Sequence, residues 1–151
     1  MAQQKEIVST INNLIETLKD GQEGFRQAAE AVKDPQLKSL FQGYSEQRSR
    51  FARELQTEAG RLGETKPEKS GSASGAVHRA WINLKSVATS GDDAAILAEC
   101  ERGEDSAVSE FKEAMEDDIP GSLQQIVSRQ YNEVKSAHDR IKNLRDIAKK
   151  T

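Results

Sequence analysis

Four long segments of the chain repeat apolar residues at intervals of three and four positions, the spacing that places side chains on one face of an α-helix. We expect these helices to run from about Gln4 to Lys33, from Pro35 to about Leu62, from about Asp92 to Asp117 and from Ser122 to about Lys149. Asp34-Pro35 is typical of a helix start, because Asp caps a helix and Pro suits its first turn. The apolar stripe of the first helix, for example, consists of Ile7, Ile11, Leu14, Leu18, Phe25, Ala29 and Val32.

The segment between the second and third long helices has a different composition. Residues 63–75 are rich in Gly and Ser and are typical of a linker. A short helix is predicted after them, with Val77, Trp81, Leu84 and Ala88 on one face. A connection of this length suits a crossover that spans a bundle better than a hairpin. The sequence therefore predicts an all-α four-helix bundle, a single domain over residues 1–151, with a long crossover.

Composition supports a helical protein in aqueous solution. Charged residues make up 31% of the 151 residues and aromatic residues 5%, a balance that favours helices over sheets. The net charge of -3 comes from interspersed acids and bases, so we expect no nucleic-acid partner. No apolar run approaches the length of a membrane span, and the first residues lack the apolar centre of a signal peptide. We therefore expect no membrane partner and a cytoplasmic location.

Cys100 is the single cysteine of the chain, so no disulfide can form within it. Glu99 and Glu101 flank this residue, and nearby carboxylates raise the pKa of a thiol. We expect Cys100 to be a small buried apolar residue rather than a reactive nucleophile.

Each apolar stripe is interrupted near its middle by polar residues or glycine. The interruptions are, in chain order, Gly21 and Gln22, Arg48, Glu101 and Glu104, and Gln130 with His138. If the four helices are aligned end to end, these positions fall at comparable heights. The sequence therefore predicts one polar layer inside the bundle.

Two arrangements could satisfy such a layer, because an isolated buried charge is very costly. In the first, Arg48 forms a bidentate bond with Glu101 or Glu104, and Gln130 and His138 fill the remaining hydrogen-bonding positions. In the second, Glu101, Glu104 and His138 bind a metal ion. A third interpretation leaves Arg48 at the edge of its stripe, with its stem packed and its charge in water.

Gly21 and Gly24 lie inside the first predicted helix, where each glycine costs about 1 kcal/mol relative to alanine. They could mark a kink or a close helix contact, or a thin spot that makes room for another group inside the bundle. We favour a kink or close contact, because a glycine in a helix usually has a packing reason.

Five short segments, spread over nearly the whole chain, resemble one family of proteins. They are Asp34-Pro-Gln-Leu37, Gln47-Arg-Ser-Arg-Phe51, His78-Arg-Ala-Trp81, Glu99-Cys-Glu-Arg-Gly-Glu-Asp105 and Ala137-His-Asp-Arg140. They resemble an uncharacterised bacterial four-helix-bundle family, a domain of unknown function within the ferritin-like superfamily. The resemblance implies a ferritin-like bundle with the crossover between its second and third long helices, and no particular reaction.

The di-metal pattern of ferritin-like proteins is poorly matched. That pattern needs a Glu on each of two helices and a Glu-x-x-His pair on each of the other two. Here Glu46 is followed three residues later by Ser49, and Lys135 stands three residues before His138. The glutamates of the first helix that lie away from its apolar stripe are Glu16, Glu23 and Glu30. These departures put the oxidase or iron-storage chemistry of the superfamily in doubt.

Three functions are compatible with these patterns. The leading hypothesis is a non-enzymatic structural or interaction protein whose polar layer is closed by protein groups, with no cofactor. The alternative is a metal-binding or redox protein that binds iron, manganese or zinc through Glu101, Glu104 and His138. The third is a stress-associated helper that binds a partner protein through an exposed helical face. Assembly with a second copy of the chain stays open.

Overall fold

The computed structural model describes residues 2–62, 81, 92–117 and 119–150. Within these ranges the chain forms four long helices and no strand, which confirms the all-α prediction. They are α1 (Ala2–Ala31), α2 (Pro35–Arg61), α3 (Asp93–Glu116) and α4 (Gly121–Lys150), and every end lies within two residues of its expected position. None of these helices is both long and apolar enough to cross a membrane. The predicted linker and, apart from Trp81, the predicted short helix lie outside the described residues.

Two helices begin at aspartate caps, the first of which the sequence predicted. At the start of α2, the Asp34 side chain accepts a hydrogen bond of 2.8 Å from the backbone N–H of Gln36, and Pro35 occupies the first turn. At the start of α3, Asp92 accepts one of 3.0 Å from the N–H of Ala95. Each carboxylate satisfies a backbone donor that has no partner inside its own helix.

Side-chain hydrogen bonds at both ends fix α1 antiparallel to α3. Near one end, the Asp93 carboxylate accepts the backbone N–H groups of Lys33 at 2.9 Å and Asp34 at 3.0 Å. Near the other end, the Thr10 hydroxyl donates to Asp117 at 2.8 Å. α1 also packs against α2, while α4 packs chiefly against α3 and meets α2 over a shorter stretch.

The buried apolar residues form two clusters stacked along the bundle. The first cluster draws on residues 7–18 of α1, 51–59 of α2, 107–114 of α3 and 123–134 of α4. The second draws on residues 25–32, 37–41, 96–100, Trp81 and Ile141. The boundary between the clusters falls at Gly21 in α1, Arg48 in α2 and Glu104 in α3. This boundary is the polar level around which the candidate site is built.

The glycines of α1 make room for side chains from other segments. A Cβ atom placed on Gly24 or on Gly103 of α3 would lie 2.2 Å from the ring of Trp81, so this indole fills the space that the two glycines leave. A Cβ atom on Gly21 would lie 3.3 Å from Nη1 of Arg48. α1 continues through both glycines as one helix, and each glycine has a packing reason, the close approach of a side chain from another segment.

Replacing Gly24 or Gly103 by Ala should destabilise the protein by about 1–3 kcal/mol, because the added methyl group overlaps the Trp81 ring. Gly43→Ala is the matched control, since a Cβ atom there meets nothing within 4 Å. That change should stabilise α2 by up to about 1 kcal/mol, because alanine is the better helix former. Urea unfolding measures all three variants. Stabilisation by Gly24→Ala and Gly103→Ala as well would contradict the packing of Trp81 between α1 and α3.

Candidate functional site

Arg48 and Glu104 form a bidentate ion pair in the centre of the bundle. Arg48 Nη1 donates to Glu104 Oε1 and Nη2 donates to Oε2, both at 2.6 Å. The two side chains are 1% and 0% exposed. Parallel N–H···O bonds between a guanidinium and a carboxylate are strong and directional. The pair therefore ties α2 to α3 at one defined register.

The other side of the Arg48 guanidinium rests on α1. Its Cζ atom lies 5.2 Å from the centre of the Phe25 ring, within range of a cation–π interaction. Gly21, one turn earlier on α1, leaves the space that Nη1 occupies. Nε donates to Gln47 Oε1 at 3.2 Å. Three helices thus enclose one charge, which explains why the stripes of α1, α2 and α3 are interrupted at the same level.

His138 lies in the groove between α3 and α4, and its side chain is 17% exposed. Its Nε2 atom is 2.5 Å from Asp105 Oδ1, and its Nδ1 atom is 3.0 Å from Asp139 Oδ1. Partial burial lowers the pKa of His138, but the hydrogen bonds to Asp139 and Asp105 outweigh it and raise the pKa above its usual value. The imidazole therefore belongs to a cluster of carboxylates at the edge of the bundle.

Glu101 faces the same groove and is 8% exposed. Arg145 Nη1 lies 2.6 Å from Glu101 Oε1, but the two groups are not aligned as a hydrogen bond. Arg145 also contacts Asp146, whose Oδ1 atom is 3.0 Å from Nη2. One ligand atom each from Glu101, Asp105 and His138 lie within 4.8 Å of one another. The groove thus gathers carboxylate and imidazole groups without using Glu104.

Gln130 is fully buried but lies away from Arg48. Its Nε2 atom donates to the backbone oxygen of Phe51 at 3.3 Å and to Glu54 Oε1 at 2.8 Å. Glu54 is also paired with Arg129. Gln130 therefore joins α4 to α2 inside the first apolar cluster.

The expected single layer is in fact three separate sets of contacts, and helix geometry gives the reason. Gln130 and His138 are eight residues apart, which is about 12 Å along α4, so they cannot occupy one level. Glu104 and Asp105 are neighbours that point about 100° apart, so one faces the core and the other the groove. Of the expected metal ligands, Glu101 and His138 meet, whereas both oxygens of Glu104 are held by Arg48.

Sequence reasoning missed Asp105 and Arg145. Asp105 stands four residues after Glu101, so both share one face of α3. Arg145 stands seven residues, or about two turns, after His138 and therefore shares its face of α4. Reading a second stripe along the border of the apolar one would have found both.

Replacing Arg48 by Met leaves Glu104 buried without its cation, so we expect the free energy of unfolding to fall by about 3–5 kcal/mol. Adding Glu104→Met should recover most of that loss, because a well-packed apolar pair often replaces a buried ion pair without a net cost. Urea unfolding followed by circular dichroism measures both.

The matched control for Arg48→Met is Arg26→Met, which breaks the exposed pairs of Arg26 with Glu23 and Glu30. Exposed pairs contribute little, so this variant should keep nearly the stability of the natural sequence. An Arg48→Met variant no less stable than Arg26→Met would contradict the buried pair.

Cys100 should not react with a thiol reagent while the protein is folded. The residue is fully buried, and burial, followed by the charges of Glu104 and Glu99, raises the pKa of its thiol well above the usual value. Labelling by a disulfide-exchange reagent should therefore begin only in denaturant, where the thiol is exposed. Rapid labelling of the folded protein would show that Cys100 is accessible.

Comparison with known proteins identifies the family of the chain. A family model described as Domain of unknown function (DUF2383) matches residues 6–117, which include α2 and α3 with both members of the buried ion pair. No curated protein matches the chain significantly. The chain therefore belongs to the family of the Domain of unknown function (DUF2383), which confirms the expectation of an uncharacterised family.

Proposed function

We propose that this chain is a non-enzymatic ferritin-like bundle in which the Arg48–Glu104 ion pair takes the place of a di-metal centre. The observation that carries the proposal is the bidentate pair, with both carboxylate oxygens of Glu104 held at 2.6 Å by one guanidinium. In this role the chain is a structural or interaction protein, a single domain over residues 1–151 in the cytoplasm.

The residues present do not fit a ferritin-like di-metal centre. Such a centre needs four inward carboxylates and two Glu-x-x-His histidines. Lys135 stands where the glutamate before His138 is required, and its amino group pairs with Asp139 on the helix surface. The fixed positive charge of Arg48 occupies the middle of the bundle and would repel cations at that level.

Glu16 is buried, so the expectation that it lies away from the core is wrong. It is 4% exposed, so α1 does contribute a buried carboxylate. It stands five residues, or about 7.5 Å of helix, from Gly21, the α1 residue beside Arg48. Glu16 is therefore displaced from Glu104 along the bundle, and the pair of them does not supply the facing carboxylates of a di-metal centre.

The test of this proposal is iron oxidation. The natural chain and an Arg48→Met/Glu104→Met double variant are freed of metal and given Fe²⁺ in air. We expect Fe²⁺ to be oxidised at the rate of buffer alone in both samples, and iron not to accumulate in the core. Accelerated oxidation, or two iron ions per chain that the double variant no longer binds, would overturn the proposal.

A further inference from the structure

The groove between α3 and α4 brings together side chains that the buried ion pair does not use. Glu101 and Asp105 lie one turn apart on α3, and His138 reaches them from α4. One ligand atom from each lies within 4.8 Å of the other two. A tetrahedral ion with bonds of about 2.0–2.2 Å holds its ligands about 3.4 Å apart. Small side-chain rotations would therefore allow one ion to contact all three.

His138 is held in the orientation of a metal ligand. Asp139 Oδ1 lies 3.0 Å from Nδ1, where it accepts the N–H, and Nε2 lies 2.5 Å from Asp105 Oδ1. A metal ion bound at Nε2 would replace the proton that this nitrogen shares with Asp105. Histidines that bind a metal through one ring nitrogen almost always donate the other N–H to a carboxylate, a carbonyl or water. The Asp139 carboxylate thus supplies the outer contact that fixes the imidazole.

Glu101 supplies an independent observation. It is 8% exposed, and its Oε1 atom makes no hydrogen bond within the described part of the chain. Its charge is balanced by Arg145 Nη1 at 2.6 Å, and Arg145 has a second carboxylate partner in Asp146. A buried carboxylate needs a cation or hydrogen bonds. A metal ion could take the place of Arg145, which would keep its contact with Asp146.

We propose that Glu101, Asp105 and His138 bind one divalent transition-metal ion, with Zn²⁺ as the closest chemical match. Two carboxylates and one imidazole are ligands that Zn²⁺ accepts, and three protein ligands leave a fourth position for water. Glu104 is not a ligand, because Arg48 holds both of its oxygens. The site is therefore separate from the core ion pair and does not rest on the proposed function.

Calorimetric titration of the metal-free full chain with Zn²⁺ tests this site. We expect one Zn²⁺ per chain, with binding weakened about 10-fold or more in Asp105→Asn and in His138→Gln. Loss of a group that only hydrogen-bonds to a metal ligand already weakens binding about 10-fold, so loss of a ligand should weaken it at least as much. Glu113→Gln, an exposed carboxylate change on the same helix, is the matched control and should bind as the natural chain does. Circular dichroism checks that each variant is folded.

Arg145→Gln tests whether Glu101 is a metal ligand, because a purely structural Glu101–Arg145 pair would not predict tighter metal binding when Arg145 is removed. If Arg145 competes with the metal for Glu101, its removal should tighten Zn²⁺ binding about fivefold, the effect of one unit charge at about 4 Å in water. Co²⁺ in place of Zn²⁺ adds a spectroscopic check, because its visible bands report the ligands and should change in His138→Gln.

Two results would overturn the site alone. One is the absence of Zn²⁺ binding at micromolar concentration, or binding that survives both Asp105→Asn and His138→Gln. The other is unchanged or weaker binding in Arg145→Gln, which would remove Glu101 from the ligand set. Binding lost in the Arg48→Met/Glu104→Met variant but kept in Asp105→Asn would place the metal in the core. It would overturn this site and the proposed function together, whereas the first two results leave the proposed function intact.

Discussion

A single buried charge pair sets the constraint that the rest of the bundle obeys. Removing Arg48 and Glu104 from water is costly, and only close bidentate geometry with no remaining unpaired oxygen offsets that cost. α2 and α3 must therefore meet at one register, α1 must present Gly21 to leave space, and Phe25 must offer its ring face. The two apolar clusters lie on either side of this pair. We infer that the pair contributes more to specifying the register than to net stability.

One turn of α3 distributes acids between two environments. Three of the acid–base pairs that α3 forms with other segments there are Glu104 with Arg48, Asp105 with His138, and Glu101 with Arg145. Glu104 faces the core and is closed completely by α2, whereas the other two acids face the groove beside α4. The same helix thus supplies both the fixed centre of the bundle and the acidic groups of the groove. The polar stretch from Glu101 to Asp105 thus contributes to both the buried ion pair and the groove in which we propose a metal site.

Periodicity was sufficient to predict the helices and most of the core. Caps such as Asp34 and stripe residues such as Phe41 follow from local rules, because each helix must bury its own apolar face. The contact between Arg48 and Glu104 was among the alternatives, since charges on an apolar stripe must meet a partner. The choice of Glu104 over Glu101 depends on how α3 is rotated against α2, which no single stripe specifies.

The contacts of Gln130 and Trp81 also depend on an arrangement of the helices that a single apolar stripe does not specify. Gln130 and His138 both interrupt the stripe of α4, but the stripe alone does not show that they lie about 12 Å apart along the helix. Trp81 was expected only on a short helix of the crossover, yet its ring fills the space beside Gly24 and Gly103. Such long-range contacts depend on the tertiary arrangement of segments far apart in the chain, and local sequence patterns do not contain it.

The most direct measurement of the central claim is NMR of the Arg48 guanidinium in ¹⁵N-labelled protein. A guanidinium held by Glu104 on one side and Phe25 on the other cannot rotate freely or exchange its protons with water. The account predicts separate, slowly exchanging Nη–H signals for Arg48 that disappear in Glu104→Met. A single averaged signal that exchanges as fast as that of an exposed arginine would contradict it.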